Sequence, residues 1–436
     1  MKYNFKKKAL SIAAVSILTL GSFAGANLSQ SKVEAKSNMN NGKVKNVIFM
    51  VPDGYSAAYA TNYRLFKGEE SIMDSMLVGM HRTYSANSEI TDSAAAGTAF
   101  ATGVKTNNGM ISTSPEGKEL KTILEAVEET GKASGLVATS TITHATPAVF
   151  ASHVASRANE ADIAPQLIDN DVEVILGGGK KYFPESLLND AKKEGYEYIT
   201  NKNELSNAKK ANKLIGLFAE DSMAPELDRD TTNQPSLKEM TQTALDVLKK
   251  DKDGFFLMVE GSQIDWAGHD QDAAWAMKDT ETFEQAVEAV IEFAQKDRNT
   301  LVVIAGDHDT GGMSVGGYGH GDVKVEVLRQ VSATGDFMVS KLDSTRSNVK
   351  EVVKQYTTLD LTEVEVQKIK SALKPDIAIN EVISERASVG WTSTNHTGVD
   401  IPLYAFGPKS ELFSGLHENT DIPGLMAKAM NIRFLQ

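Results

Sequence analysis

The chain has 436 residues, 58 acidic against 45 basic side chains, a formal charge of −13 and no cysteine. That acidic balance argues against a nucleic-acid partner, which a basic footprint would serve. The missing cysteine excludes disulfides and thiolate metal ligands, so any metal must be held by His, Asp, Glu and hydroxyls.

At the N-terminus, Lys2, Lys6, Lys7 and Lys8 precede an apolar run from Ala9 to Leu20. The run is shorter than the ~20 residues a membrane span needs, and Gly21, Gly25 and Asn27 interrupt the stretch after it. Residues 1–35 therefore read as a signal peptide, cut after Ala35 or, at the alternative small-residue site, after Ala26. Cleavage after Ala35 removes five lysines and one glutamate, taking the charge from −13 to −17. The mature chain, 36–436, is expected to carry no transmembrane segment and to be secreted or held at the cell wall or in the periplasm.

Val44 to Val51 is a continuous apolar run ending at Pro52-Asp53-Gly54, the pattern of a strand buried on both faces. Ser134 to Thr139, Phe255 to Val259 and Leu301 to Ala305 look the same, with helical patterns between them, as at Lys121 to Thr130 with Gly131 at its stop. Strands alternating with helices predict an α/β fold with a mostly parallel central sheet and helices on both faces. Gly177-Gly178-Gly179-Lys180 lacks the spacing of a nucleotide loop and reads as a turn after a strand from Val172 to Leu176. Residues 310–394, glycine-rich and then charged, with an amphipathic helix near Leu361 to Leu373, read as an insertion over the site. Ile401 to Phe406 returns to the sheet.

Open α/β sheets place their sites beyond the carboxyl ends of the strands. Asp53 follows the first strand, His144 and Thr146 the second, Glu260 the third, and Asp307-His308 the fourth. Taken singly, each is an ordinary turn former or helix cap; four on one edge point to metal ligands. Asp265 and His269 stand four apart just past Glu260, so a helical turn would bring a carboxylate and an imidazole together. His396, in Asn395-His396-Thr397-Gly398, would carry little weight alone. Ser93, in Thr91-Asp92-Ser93-Ala94, sits at the predicted start of a helix among residues too small to shield it, where backbone donors suit an anion. The bland alternative is that Asp92 or Ser93 only caps that helix. Arg157 is the leading phosphate clamp, because a guanidinium matches two phosphate oxygens; a surface ion pair is its structural alternative.

Taken together, these blocks resemble the alkaline phosphatase family over Val44 to about residue 430. The matching segments run in order: Pro52-Asp53-Gly54, Thr91 to Ala94, Thr102 to Thr106, Ala145-Thr146-Pro147-Ala148, Val259-Glu260-Gly261, Asp265 to His269, Asp307-His308 and His396-Thr397-Gly398. The resemblance implies hydrolysis of phosphate monoesters through a phosphoserine on Ser93, with two zinc ions and one magnesium per chain, in a homodimer. It implies Asp265, His269 and His396 at the first zinc, and Asp307, His308 and Asp53 at the second. Asp53, Thr146 and Glu260 fall to magnesium, and Arg157 to the phosphate oxygens; 310–394 becomes the family's variable crown. His144 and Trp266 stand where the enteric bacterial pattern has aspartate and lysine, which implies altered substrate binding, faster phosphate release and a third site open to zinc. Related phosphodiesterases, sulfatases and phosphoglycerate mutases share such a two-metal core, but the modified Cys or Ser motif of the sulfatases and the large inserted domain of the mutase are missing here. A phosphate- or metal-binding protein without turnover is the alternative from another class.

Overall fold

The computed structural model describes residues 42–434, and the expected signal peptide lies outside them. A ten-stranded sheet is built from β1 (Asn46–Pro52), β2 (Leu77–Arg82), β3 (Ala133–Thr141), β4 (Val174–Gly178), β5 (Tyr196–Ile199), β6 (Lys213–Leu217), β7 (Phe255–Gly261) and β8 (Thr300–Ala305). Four short strands come next, β9 (Asp309–Thr310), β10 (Ser314–Val315), β11 (Val389–Gly390) and β12 (His396–Thr397), before β13 (Ile401–Phe406) and β14 (Gly415–Glu418) complete the sheet. Its order is β14-β2-β13-β8-β1-β7-β3-β4-β6-β5, all neighbours being parallel except β13, which is antiparallel to both β2 and β8. The short strands pair as β10 with β11 and β9 with β12.

The continuous apolar runs have the meaning expected of them. Alternate residues of each central strand face opposite ways, so Ile48, Met50, Leu257, Val259, Val302 and Ile304 enter one core while Val47, Phe49, Phe256, Met258, Leu301 and Val303 enter the other. Helices Leu237–Leu248 and Ala273–Asp297 cover the first face. Helices Ser93–Thr102, Ile123–Glu128 and Asp421–Met430 cover the second. The fold is thus α/β with a mostly parallel sheet between two helical layers. No helix among the described residues is long and apolar enough to cross a membrane.

One local reading is corrected and another is sharpened. The triple glycine is not wholly a turn, since Gly177 and Gly178 are strand residues of β4; a Cβ on Gly178 would lie 2.2 Å from the Asp221 carbonyl oxygen, so only glycine allows that chain to pass. The helix expected near Leu361 to Leu373 runs Glu363–Ser371, set by a capping box between Thr362 and Glu365.

Phe49 links the sheet to the helix that begins at Ser93. It is fully buried, with its ring 5.2 Å from Phe100 and 6.0 Å from Phe150. Phe49→Ala should lower stability by roughly 3–5 kcal/mol, read as a lower denaturant midpoint with an unchanged slope.

Candidate metal centre

β1, β3, β7 and β8 are mutually parallel neighbours, so their carboxyl ends open on one edge. Glu260 is the register partner of both Val51 and Ala138, two residues before the level of Asp53. Past β1 the chain must turn against the segment carrying Asp265. Gly54 makes that turn at φ 73°, where a Cβ would sit 2.8 Å from Asp265 Cα. Asp265 and His269 lie on helix Gln263–His269, and the i,i+4 spacing puts Asp265 Oδ2 3.4 Å from His269 Nε2. His396 comes in on β12, with Nε2 3.2 Å from His269 Nε2 and 3.5 Å from Asp265 Oδ1.

Three groups of ligand types converge: Asp265, His308 and His396; Asp53, Asp307 and His308; and Asp53, His144 and Glu260. Asp307 Oδ1 accepts from the backbone N–H groups of Gly54 and His308 at 3.1 and 3.0 Å, while its Oδ2 lies 3.1 Å from His308 Nε2. Thr146 Oγ1 donates to Asp53 Oδ2 at 3.3 Å, and Ser140 Oγ to Glu260 Oε2 at 3.2 Å. The remaining oxygens, Asp53 Oδ1, Glu260 Oε1 and Asp307 Oδ2, are buried without a hydrogen-bond partner, as is His144 Nδ1.

Burial, then the charges of Asp307, Asp265 and Glu260, hold the Asp53 carboxyl well above its ordinary range. Burial likewise pushes Glu260 up to about 7. Burial acts the same way on Asp265, but the His269 and His396 imidazoles outweigh it and hold that carboxyl well below the usual value. On His308 burial opposes the charged ring, and Asp307, Asp265 and Asp92 together more than offset it, raising the pKa. Buried carboxylates with unfilled oxygens are strongly unfavourable unless opposite charge is supplied. The donor sets, imidazole with carboxylate in two places and mainly oxygen in the third, fit divalent cations.

Ser93 is the first residue of its helix, and its Oγ lies 3.1 Å from His308 Nε2. The helix is small-chained for a reason: a Cβ on Gly97 would stand 2.9 Å from Val149 on the segment that carries Thr146. Asp92 caps this helix, Oδ1 accepting from Ala95 N at 3.0 Å. Its Oδ2 also accepts from Gly109 N and from Arg157 Nη1, at 2.9 and 3.1 Å. Cap and anchor are one residue. The sequence displayed only the cap, because the Arg157 contact spans 65 positions. Arg157 Nη2 donates to His144 Nε2 at 2.8 Å, and the His144 ring stands edge-on to Trp266 at 5.8 Å. Burial, then Arg157, pulls the His144 pKa down to about 3, so the ring is a neutral acceptor. All twelve side chains singled out from the sequence, Asp53, Ser93, His144, Thr146, Arg157, Glu260, Asp265, Trp266, His269, Asp307, His308 and His396, fall in this one contact network.

Comparison with known proteins agrees with this geometry. The family described as alkaline phosphatase matches residues 44–432. Alkaline phosphatase 3 of Bacillus subtilis is 43% identical over 98% of this chain and 98% of its own length. The cold-active alkaline phosphatase of a psychrophilic Shewanella superposes with a TM-score of 0.84 at 35% identity, over 88% of this chain and 99% of that one. A histidine-to-aspartate mutant of the enzyme from the Antarctic bacterium TAB5, described with magnesium in its M3 site, gives a TM-score of 0.70 at 26% identity over 90% and 99%.

Because Asp53 is raised above its unfolded pKa, its ionisation weakens the metal-free fold as pH rises beyond the ordinary carboxylate range. At pH 8, chelator-treated Asp53→Asn should therefore melt a few degrees above chelator-treated wild type, and added zinc should reverse that order. Thermal unfolding of both, with and without zinc, checks this.

Proposed function

The chain belongs to the alkaline phosphatase family and is a phosphate-monoester hydrolase, and we propose that it works through a phosphoserine on Ser93 assisted by two zinc ions and one magnesium. The observation that carries this reading is Ser93 Oγ, 3.1 Å from His308 Nε2 and beside buried carboxylate oxygens that have no partner. Asp265, His269 and His396 hold the first zinc; Asp53, Asp307 and His308 hold the second. Asp53, Thr146 and Glu260 supply oxygen to magnesium. When bound, the ions supply the positive charge that favours an alkoxide at Ser93 and at the leaving oxygen, and they activate water.

The residues of the chain do the rest. Arg157, tethered at Asp92 and His144, positions the non-bridging phosphate oxygens. Ser93 Oγ bonds to phosphorus as the ester P–O bond breaks; the serine proton passes to solvent and the alcohol leaves protonated. Water then bonds to phosphorus from the vacated side, the Ser93–phosphorus bond breaks, and the hydroxyl is restored. The N-terminus of the Ser93 helix adds backbone donors for the anion.

His144 and Trp266 set the third site and product binding. The TAB5 mutant with aspartate in place of histidine holds magnesium in its M3 site. We read His144 as the counterpart of the histidine replaced there, an imidazole that opens the third site to zinc, with Nδ1 the ring nitrogen left free for a cation. Trp266 brings no charge to the product, which favours release. A phosphate scavenger outside the cell, made with residues 1–35 as signal peptide, follows from the reading. So does a homodimer: Leu77, Met80 and Leu416 are exposed on β2 and β14, Met80 and Leu416 being register partners. Segment 310–394 acts as a crown-like insertion within the catalytic domain 36–436.

Two assays test this. Ser93→Ala should lose at least about a thousandfold in kcat, wild type should lose turnover to a chelator and regain it with zinc and magnesium, and acid-quenched protein should carry phosphate only when Ser93 is present. Turnover indifferent to both treatments sinks the reading. Trp266→Lys should lower the inhibition constant for phosphate several-fold, and His144→Asp should saturate at lower magnesium. Unchanged constants in both would remove the roles given to these side chains.

A further inference from the structure

Thr310 has no part in the catalytic scheme, yet its hydroxyl touches both zinc sets. Its Oγ1 donates to Asp265 Oδ1 and lies 3.3 Å from His308 Nδ1. The residue is fully buried and held from three sides. Its N–H donates to the Gly54 carbonyl at 3.1 Å, its carbonyl accepts from Tyr59 Oη at 2.6 Å, and on β9 it is the register partner of His396.

A hydroxyl has one proton to give. An ionised carboxylate can only accept, so that proton goes to Asp265, and the oxygen is left to accept from His308. The donor is then Nδ1–H. A metal-ligating imidazole must be neutral and carries a single ring proton, so in the zinc-bound state Nε2 is the bare ligand nitrogen, and Nε2 is the nitrogen 3.1 Å from both Ser93 Oγ and Asp307 Oδ2. One side chain thus fixes the tautomer of a ligand in the second set and the orientation of a ligand in the first. Partners of this kind typically change metal affinity by about 10- to 100-fold.

We propose that Thr310 is a positioning residue that ties Asp265 to His308, so that the two zinc sets gain and lose affinity together. This rests on the reading of those sets as zinc ligands. Thr310→Val keeps the branched shape that suits β9 but leaves Asp265 Oδ1 and His308 Nδ1 without their partner, whereas Thr310→Ser keeps the hydroxyl.

The test is chelator-competition titration of full-length, metal-stripped protein with zinc alone. Thr310→Val should bind both zinc equivalents about 10- to 100-fold more weakly than wild type. Thr310→Ser should stay within about threefold. At saturating zinc, Thr310→Val should recover most of its kcat with KM for a phosphate monoester little changed. Thr310→Val binding both equivalents at wild-type affinity, or losing only one, overturns the proposal, and so does an equal loss in Val and Ser variants, which would make the role one of packing. Should the Val protein not fold, Thr310→Ala against Thr310→Ser gives the same comparison with the same outcomes. Wild type that takes up no zinc overturns the reading of the sets and this proposal with it; a tight-binding Thr310→Val overturns this proposal alone.

Discussion

Four carboxylates, Asp53, Glu260, Asp265 and Asp307, are buried side by side at one end of the sheet, and the rest of the architecture follows from the repulsion among them. The protein answers it unevenly. Asp265 has His269 and His396 against it, and Asp307 has His308 and two backbone N–H groups. Asp53 and Glu260 are met mainly by hydroxyls, from Thr146 and Ser140. The deficit of positive charge is therefore greatest between Asp53 and Glu260, and those are the two carboxyls whose pKa is raised, while Asp265 and Asp307 are lowered. A cation there would meet the least competition from the protein's own charges, and a mainly oxygen donor set suits a hard ion.

Holding like charges together requires a frame that cannot relax away from them. Parallel strands supply it, because their ladder bonds lie within the sheet and the side chains past their ends move only if the register moves. Val51 is opposite Glu260 on β7, and Met50 is opposite Ile304 on β8, so continuing the register sets Asp53 level with Asp307 and Glu260 two residues before them along three adjacent strands. Asp265 and His396 come from outside the sheet and need separate fixing. Gly54 against Asp265 Cα brings in the first by backbone contact, and the β9–β12 pairing brings in the second.

Elements whose environment is uniform were legible in the sequence. β1, β3, β7 and β8 are buried on both faces, so they read as apolar runs, and the residue types at their ends then marked the site edge. Asp265 and His269 could be paired because helical spacing is local. β2 and β14 gave no such signal: Leu77 and Met80 are exposed on β2 while the polar His81 between Met80 and Arg82 is buried, and Leu416 is exposed on β14, so hydrophobicity and burial disagree. Long-range pairings were hidden for a different reason. Nothing in the segment around Arg157 says that its two nitrogens go to Asp92 and His144, or that Thr310 spans Asp265 and His308; those contacts exist only once the strands are in register.

If Arg157 clamps phosphate as proposed, such hidden contacts tune its chemistry. A free guanidinium at the mouth of an anion site would bind phosphate strongly and release it slowly. Here Nη1 faces Asp92, whose negative charge already satisfies part of the cation, and Nη2 faces a neutral His144 that accepts without adding charge. The arginine is thus held in place before an anion arrives, which reduces the entropy lost on binding. At the same time the anion must share the cation with Asp92. Asp92 cannot be given up to remove that competition, since its other oxygen caps the helix that presents Ser93. On the proposed reading, the position of Ser93 and the grip on phosphate are therefore coupled through one carboxylate, and a tighter hold on phosphate would have to come from elsewhere, such as position 266, beside His144 and occupied by an uncharged indole.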